Sequence, residues 1–141
     1  MNDAQLEQLT RDERDLAAAI VGYGMPPALC TPSESFRDPI AAEAIRAAEA
    51  VAAAGKPVAP ESVLQYLADT GAENYPDLIG MIARENPEQI PAAIVSDLRD
   101  RVLGAHRERH LTRILENGTR LQRDPSEVAR EVIEAEKGFA N

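Results

Sequence analysis

PAAIVSDLRDRVLGAHRERHLTRILENGTRLQR, residues 91–123, is the stretch on which the fold turns. It has no proline after Pro91, and its apolar residues recur at helical spacing. The spacing predicts a single rod of ~50 Å, at 1.5 Å per residue. The first half carries a stripe at Ile94, Leu98 and Val102, and the second carries Leu111, Ile114, Leu115 and Leu121. Between the stripes, Gly104 to His110 is mostly polar. A rod with two separate apolar stripes serves two partners, one at each end.

The segment after the rod reads as a helix folding back on it. Asp124 as N-cap, Pro125 in the first position and Glu127 in the third make a strong helix start. Val128, Val132 and Ile133 then share one side. The turn is short, so the pair forms an antiparallel helical hairpin. The segment before the rod reads as a compact head. A first helix starts near Arg11, capped by Asp12, with Leu16, Ala19, Ile20 and Tyr23 inward. A second starts at Pro39 and buries Ile40, Ala44, Ile45, Ala48, Val51 and Ala52. A third opens at Pro60 and turns Val63, Leu64 and Leu67 inward. A fourth, capped by Asn74, turns Leu78, Ile79, Ile82 and Ala83 inward and ends at Asn86-Pro87. Phe36 reads as a core plug. The expected fold class is all-α: a flexible N-terminus over 1–10, a multi-helix head over 11–103, a hairpin over 104–139, and the start of a possible linker at 140–141.

Composition supports this class. The chain has 141 residues, 44% of them hydrophobic but only 4% aromatic. Alanine dominates the apolar class, and small side chains let helices approach closely. The net charge of −9 is unevenly spread. Residues 1–97 carry 6 basic and 16 acidic side chains, whereas residues 98–123 carry 7 arginines and 3 acidic groups. An acidic body argues against nucleic-acid binding by the whole module. The arginines of the rod, Arg99, Arg101, Arg107, Arg109 and Arg113, form the one basic surface on which such binding could rest. No apolar run is long enough to cross a membrane, and the N-terminus is too polar for a signal peptide. Cys30 is the only cysteine, which fits a reducing, cytoplasmic setting.

Residues that could carry chemistry are few. Cys30 has no histidine near it in sequence. His106 and His110 have an i,i+4 spacing that can bind a metal, but the pattern HRERH is not the HExxH of zinc peptidases. Gly22-Tyr23-Gly24 comes after no strand, and no GK[ST] comes after it, so it is no phosphate loop. The expectation is a non-enzyme with no catalytic, metal-binding or cofactor-binding residues and no cofactor. Leu111, Ile114, Leu115, Leu121, Val128, Val132 and Ile133 are the candidate self-association residues, since a lone two-helix hairpin cannot cover its own apolar face.

The run from Phe36 to Gly71, FRDPIAAEAIRAAEAVAAAGKPVAPESVLQYLADTG, resembles the N-terminal domain of DnaB-type replicative helicases. That family shows a phenylalanine, a long helix, a G-x-P-[ILV] connector and a short helix ending L-x-x-x-G. Here these are Phe36, Pro39–Ala54, Gly55-Lys56-Pro57-Val58, and Val63-Leu64 to Leu67 with Gly71. Glu13 to Val21 is similar to the family's opening, Tyr75 to Ile79 to its Y-L-x-x-L segment, and Glu134 to Phe139 to its ending. The chain departs from the pattern at Ala59 and around Ala42 to Arg46, as a divergent member would. The resemblance implies a domain without ATPase activity that dimerises through its hairpin. It further implies a trimer-of-dimers collar on a helicase hexamer, with contacts to primase or a loader. The motor would then lie in a following RecA-like domain. One alternative is a stand-alone adaptor or inhibitor that mimics this domain and binds helicase or primase. The other is an unrelated helical module that binds nucleic acid through the arginine-rich helix.

Overall fold

A computed structural model describes residues 2–26, 29, 31–84 and 91–139. Six α-helices and one short 3-10 turn, and no strands, occur among these residues. The chain forms two compact units, Met1–Val102 and Leu103–Asn141. Cys30, the Asn86-Pro87 stop, the side chain of Ala83 and the linker at 140–141 lie outside the described residues.

The first helix, α1 (Asp3–Gly22), begins earlier than the sequence suggests. Asn2 Oδ1 accepts the Gln5 N–H and Gln5 Oε1 accepts the Asn2 N–H, each at 2.9 Å. This reciprocal capping box satisfies two donors that a helix start otherwise leaves open. Residues 3–10 are therefore helical, with Leu9 buried, and are not a loose extension ahead of Arg11. Asp12 is not a cap: it is buried within the helix. From Leu16 to Val21 every residue of α1 is buried, as expected of a helix enclosed on all sides. Tyr23, expected inward, is 40% exposed because it falls past the last helical residue. There Gly24 (φ 75) and Met25 (φ 58) turn the chain through the left-handed region.

Next, α2 (Pro39–Ala53) packs on α1 through alanine. Ala17, Ala19, Ala41, Ala44 and Ala48 have no exposure, so two backbones approach closely around Leu16, Ile20 and Ile45. Phe36, just ahead of α2, is buried in the same core. Ala52, expected inward, is exposed. Then α3 (Pro60–Asp69) and α4 (Tyr75–Arg84) add Val63, Leu67, Leu78 and Ile82. Ile79, expected inward, is 38% exposed.

The long helix α5 (Ala92–Arg120) contributes Val95, Leu98 and Val102 to the head core. Ile94, expected on this stripe, is 49% exposed. The reason is geometric: two successive steps of four drift by about 40° each around a helix. A step of three followed by a step of four, from Val95 to Leu98 to Val102, stays on one face.

Polar groups lock these helices in place. Glu13 has no exposure, and its Oε1 accepts the backbone N–H groups of Arg37 and, at 3.1 Å, Asp38. Asp38 caps α2 by accepting the Ala41 N–H at 3.2 Å. Arg14 donates to both Asp38 oxygens, at 2.8 and 3.3 Å, and this bond raises the Arg14 pKa further. Asp12 pairs with Arg101 of α5 at 3.3 Å.

Glu13→Ala should lower the unfolding free energy by about 2 kcal/mol or more, because two buried N–H groups lose their acceptor. Glu13→Gln, which keeps a carbonyl oxygen there, should lose clearly less. Urea denaturation of both variants checks this; equal losses would show that the acceptor is not what matters.

Candidate functional site

The second unit is a hairpin. Its first arm is the later part of α5 and its second is α6 (Pro125–Phe139). The turn is tight. The Arg123 N–H donates to the Gly118 carbonyl at 2.9 Å and the Gln122 N–H to Thr119 at 3.2 Å, with Gln122 at φ 52. Such bonds close a helix end with its last residue in the left-handed region. Asp124 Oδ1 then accepts the Ser126 N–H at 2.8 Å and opens α6.

The arms run antiparallel. Arg107 pairs with Glu136, Gly118 lies against Val128, and Arg123 pairs with Glu131. Gly118 is a point of close approach: a Cβ there would stand 2.5 Å from Val128 Cγ2 and 3.2 Å from Cγ1. Nothing in the apolar pattern singles out Gly118. Its signal is a glycine inside a helix, four residues after Ile114 and seven after Leu111, on the face those two share. The Arg107–Glu136 pair is exposed and the Arg123–Glu131 pair is part-buried. In each, the hydrogen bond from the arginine is the main cause holding Glu131 and Glu136 below the ordinary glutamate range.

The hairpin has two unlike flanks. One carries an open groove of about 650 Å³ lined by His110, Ile114, Arg123, Glu127, Arg130, Glu131, Glu134 and Ala135. Its charges are mixed, and Arg123 and Glu131 satisfy each other. The other flank is set by the 100° step of a helix. Leu115 lies on the opposite side of Gly118 from Ile114, and Ile133 lies away from Glu134 and Glu127. Leu115 and Ile133 are 53% and 55% exposed, and Leu111 and Val132 next to them are half-buried.

The seven sequence-derived self-association candidates therefore divide. Leu111, Ile114, Val128 and Val132 are half-buried, and Leu115, Leu121 and Ile133 are largely exposed. Leu121 lies just past the end of α5, on the flank of His110 and Ile114. The five arginines do not form one open patch. Arg101 is held by Asp12 and Arg107 by Glu136, and Arg99 and Arg109 are half-buried and engaged within the molecule. Only Arg113 of the five is exposed without a described carboxylate partner.

His106 and His110 stack with ring centroids 6.3 Å apart. Among the described residues no group of three or more His, Cys, Asp or Glu side chains is arranged to hold a metal ion, and no helix is long and apolar enough to cross a membrane. Comparison with protein-family models, with curated proteins and with solved structures finds no match to this chain.

Two outcomes are expected. Gly118→Ala should push the arms apart and destabilise the hairpin by about 1–3 kcal/mol, as overpacking does; amide exchange in residues 107–136 checks it. Glu131 and Glu136 should titrate below about 4.3, the ordinary glutamate value. Because their folded values are depressed, the pairs support the hairpin above that pH and are lost as pH falls through the depressed values. Carboxyl-carbon NMR of the wild type should show this, and Arg123→Ala should move Glu131 back up.

Proposed function

We propose that this chain is a non-catalytic docking module that self-associates through the flank of its hairpin bearing Leu115 and Ile133. Following the sequence resemblance, we read it as a collar domain of a DnaB-type replicative helicase, acting in DNA replication and meeting primase or a loader. The observation that carries the reading is the pair of large, exposed aliphatic side chains on one flank of a two-helix unit. Such a unit has too little of its own to cover them.

Charge supports a second copy as the occupant. Residues 1–102 carry 8 basic and 17 acidic side chains, whereas residues 103–141 carry 7 of each. Two heads repel each other, and two hairpins do not. Within the hairpin, residues 103–123 have 5 basic and 2 acidic groups, and residues 124–141 have 2 and 5. A two-fold partner lays the basic arm of one copy beside the acidic arm of the other. A stand-alone adaptor is the second reading, favoured by the acidic head, which suits a basic partner surface. The nucleic-acid reading draws little support from a set of arginines in which Arg101 and Arg107 are engaged with carboxylates and Arg99 and Arg109 are half-buried.

Sedimentation of the wild type should show a dimer at high micromolar concentration. Leu115→Asp should shift it towards monomer and leave far-UV helicity unchanged. A wild type that stays monomeric would remove self-association. Failure of the chain to bind the primase, loader and helicase encoded by the same genome would remove the helicase reading.

A further inference from the structure

The side chain that Gly118 lacks has a chemical consequence for the residue before it. A Cβ at 118 would stand 2.5 Å from Val128 Cγ2, so the packing of the hairpin calls for glycine there. The preceding residue is Asn117, which alone among the asparagines of the chain is followed by a glycine. An asparagine holds its side-chain carbon Cγ where the next backbone nitrogen can close a five-membered ring on it. A Cβ on that next residue crowds the attack and restricts the backbone, and glycine has none. Packing against α6 therefore retains the dipeptide in which ring closure is easiest.

Two features of the hairpin bear on the reaction. Arg120 Nη2 donates to Asn117 Oδ1 at 3.2 Å. Negative charge develops on that oxygen when Cγ is attacked, and a cationic donor already in place lowers the barrier. Asn117 also lies in the last turn of α5, which ends at Arg120. The Gly118 nitrogen must leave the helix ladder before it can attack, and helix ends open at the least cost. Residues 119–122 are exposed, so water reaches this turn.

We propose that Asn117 is a self-modification site, converted to aspartate and isoaspartate with Arg120 assisting. The Gly118 nitrogen attacks Asn117 Cγ. The N–Cγ bond forms and the Cγ–Nδ2 bond breaks, and Nδ2 leaves as ammonia with the proton of the Gly118 amide. Water then opens the resulting succinimide. Opening at Cγ gives aspartate, and opening at the main-chain carbonyl gives isoaspartate. Isoaspartate runs the main chain through Cγ, one carbon longer. It turns the carbonyl that accepts the Leu121 N–H at 3.0 Å into a carboxylate. The last turn of α5 then loses its register at Gly118, and the hairpin loosens. The change is one-way, so it accumulates in molecules whose end turn has opened. This inference does not depend on what the partner is, or on whether the chain self-associates.

The test incubates the full chain at mildly alkaline pH, both folded and in urea. Residue 117 is followed by mass-spectrometric peptide mapping and by isoaspartate-specific labelling. The folded chain should convert at Asn117, more slowly than the chain in urea. Arg120→Ala should slow the folded conversion about fivefold, a fraction of what an enclosed oxyanion donor contributes. A purely structural role for Arg120 predicts the opposite sign, because a looser helix end reacts faster. In urea, where the contact is lost, Arg120→Ala should react at the parent rate. In the aged folded chain, amides 107–136 should exchange faster than in the fresh chain, and amides 41–51 should not. Absence of conversion in the folded chain while the chain in urea converts would overturn the site. An equal or faster rate in folded Arg120→Ala, or a changed rate for that variant in urea, would overturn the part given to Arg120. Unaltered exchange over 107–136 after conversion would overturn the loosening.

Discussion

One carboxylate holds the head in register. Glu13 is enclosed among apolar helices, where an unsatisfied charge would be strongly unfavourable. It is accommodated because the N–H groups of Arg37 and Asp38, just ahead of α2, converge on its Oε1. Its neighbours extend the same lock. Successive side chains leave a helix about 100° apart, so Asp12, Glu13 and Arg14 reach three targets from one turn of α1. Those targets are Arg101 of α5, the backbone before α2, and the capping residue of α2 itself. The rest of the core is largely alanine, with Leu16, Ile20 and Ile45 as its larger members. Alanine allows close approach but specifies little about rotation or register, because it has no shape to interdigitate. The polar lock supplies that missing specificity.

The hairpin obeys a different rule. Its arms meet where a side chain is absent, at Gly118, and are tied on either side by Arg107–Glu136 and Arg123–Glu131. The first pair is exposed and the second part-buried, and ion pairs so near the surface add little stability. Close approach at a glycine narrows the hairpin and turns medium-sized side chains such as Val128 and Val132 inward. The larger Leu115 and Ile133 remain on a flank. A charged groove lies on one side and the exposed Leu115 and Ile133 on the other, so the two flanks of the unit differ in chemistry.

Much of this is legible in the residues, and the departures have identifiable causes. The all-helical class rests on the 3.6-residue period, the alanine content and the placement of Pro39, Pro60 and Pro125 at helix starts. The helix start at Asp3 escapes notice because Asn2 and Gln5 form their capping box in a polar stretch with no apolar period to mark it. Ile94 and Ile79 depart from expectation for a shared reason. Hydrophobicity alone is not sufficient: angular position around the helix decides which of two adjacent residues, Ile94 or Val95 and Leu78 or Ile79, meets the core.

The candidate site is legible only as a set of residues. Sequence alone determined that the arms of the hairpin carry Leu111, Ile114, Leu115, Leu121, Val128, Val132 and Ile133 at helical intervals. It also determined that acidic charge gathers ahead of the rod and arginine on it. Both are local properties, set by spacing along one chain. Tertiary structure decided which of those side chains the hairpin takes in and which it leaves out, which arginines are engaged by carboxylates, and that Gly118 is a contact while Gly104 is open. Those outcomes depend on the angle and register at which α6 lies against α5. The contacts that accompany that geometry are the close approach at Gly118 and two ion pairs between residues 8 and 29 positions apart, separations at which no local apolar period carries information.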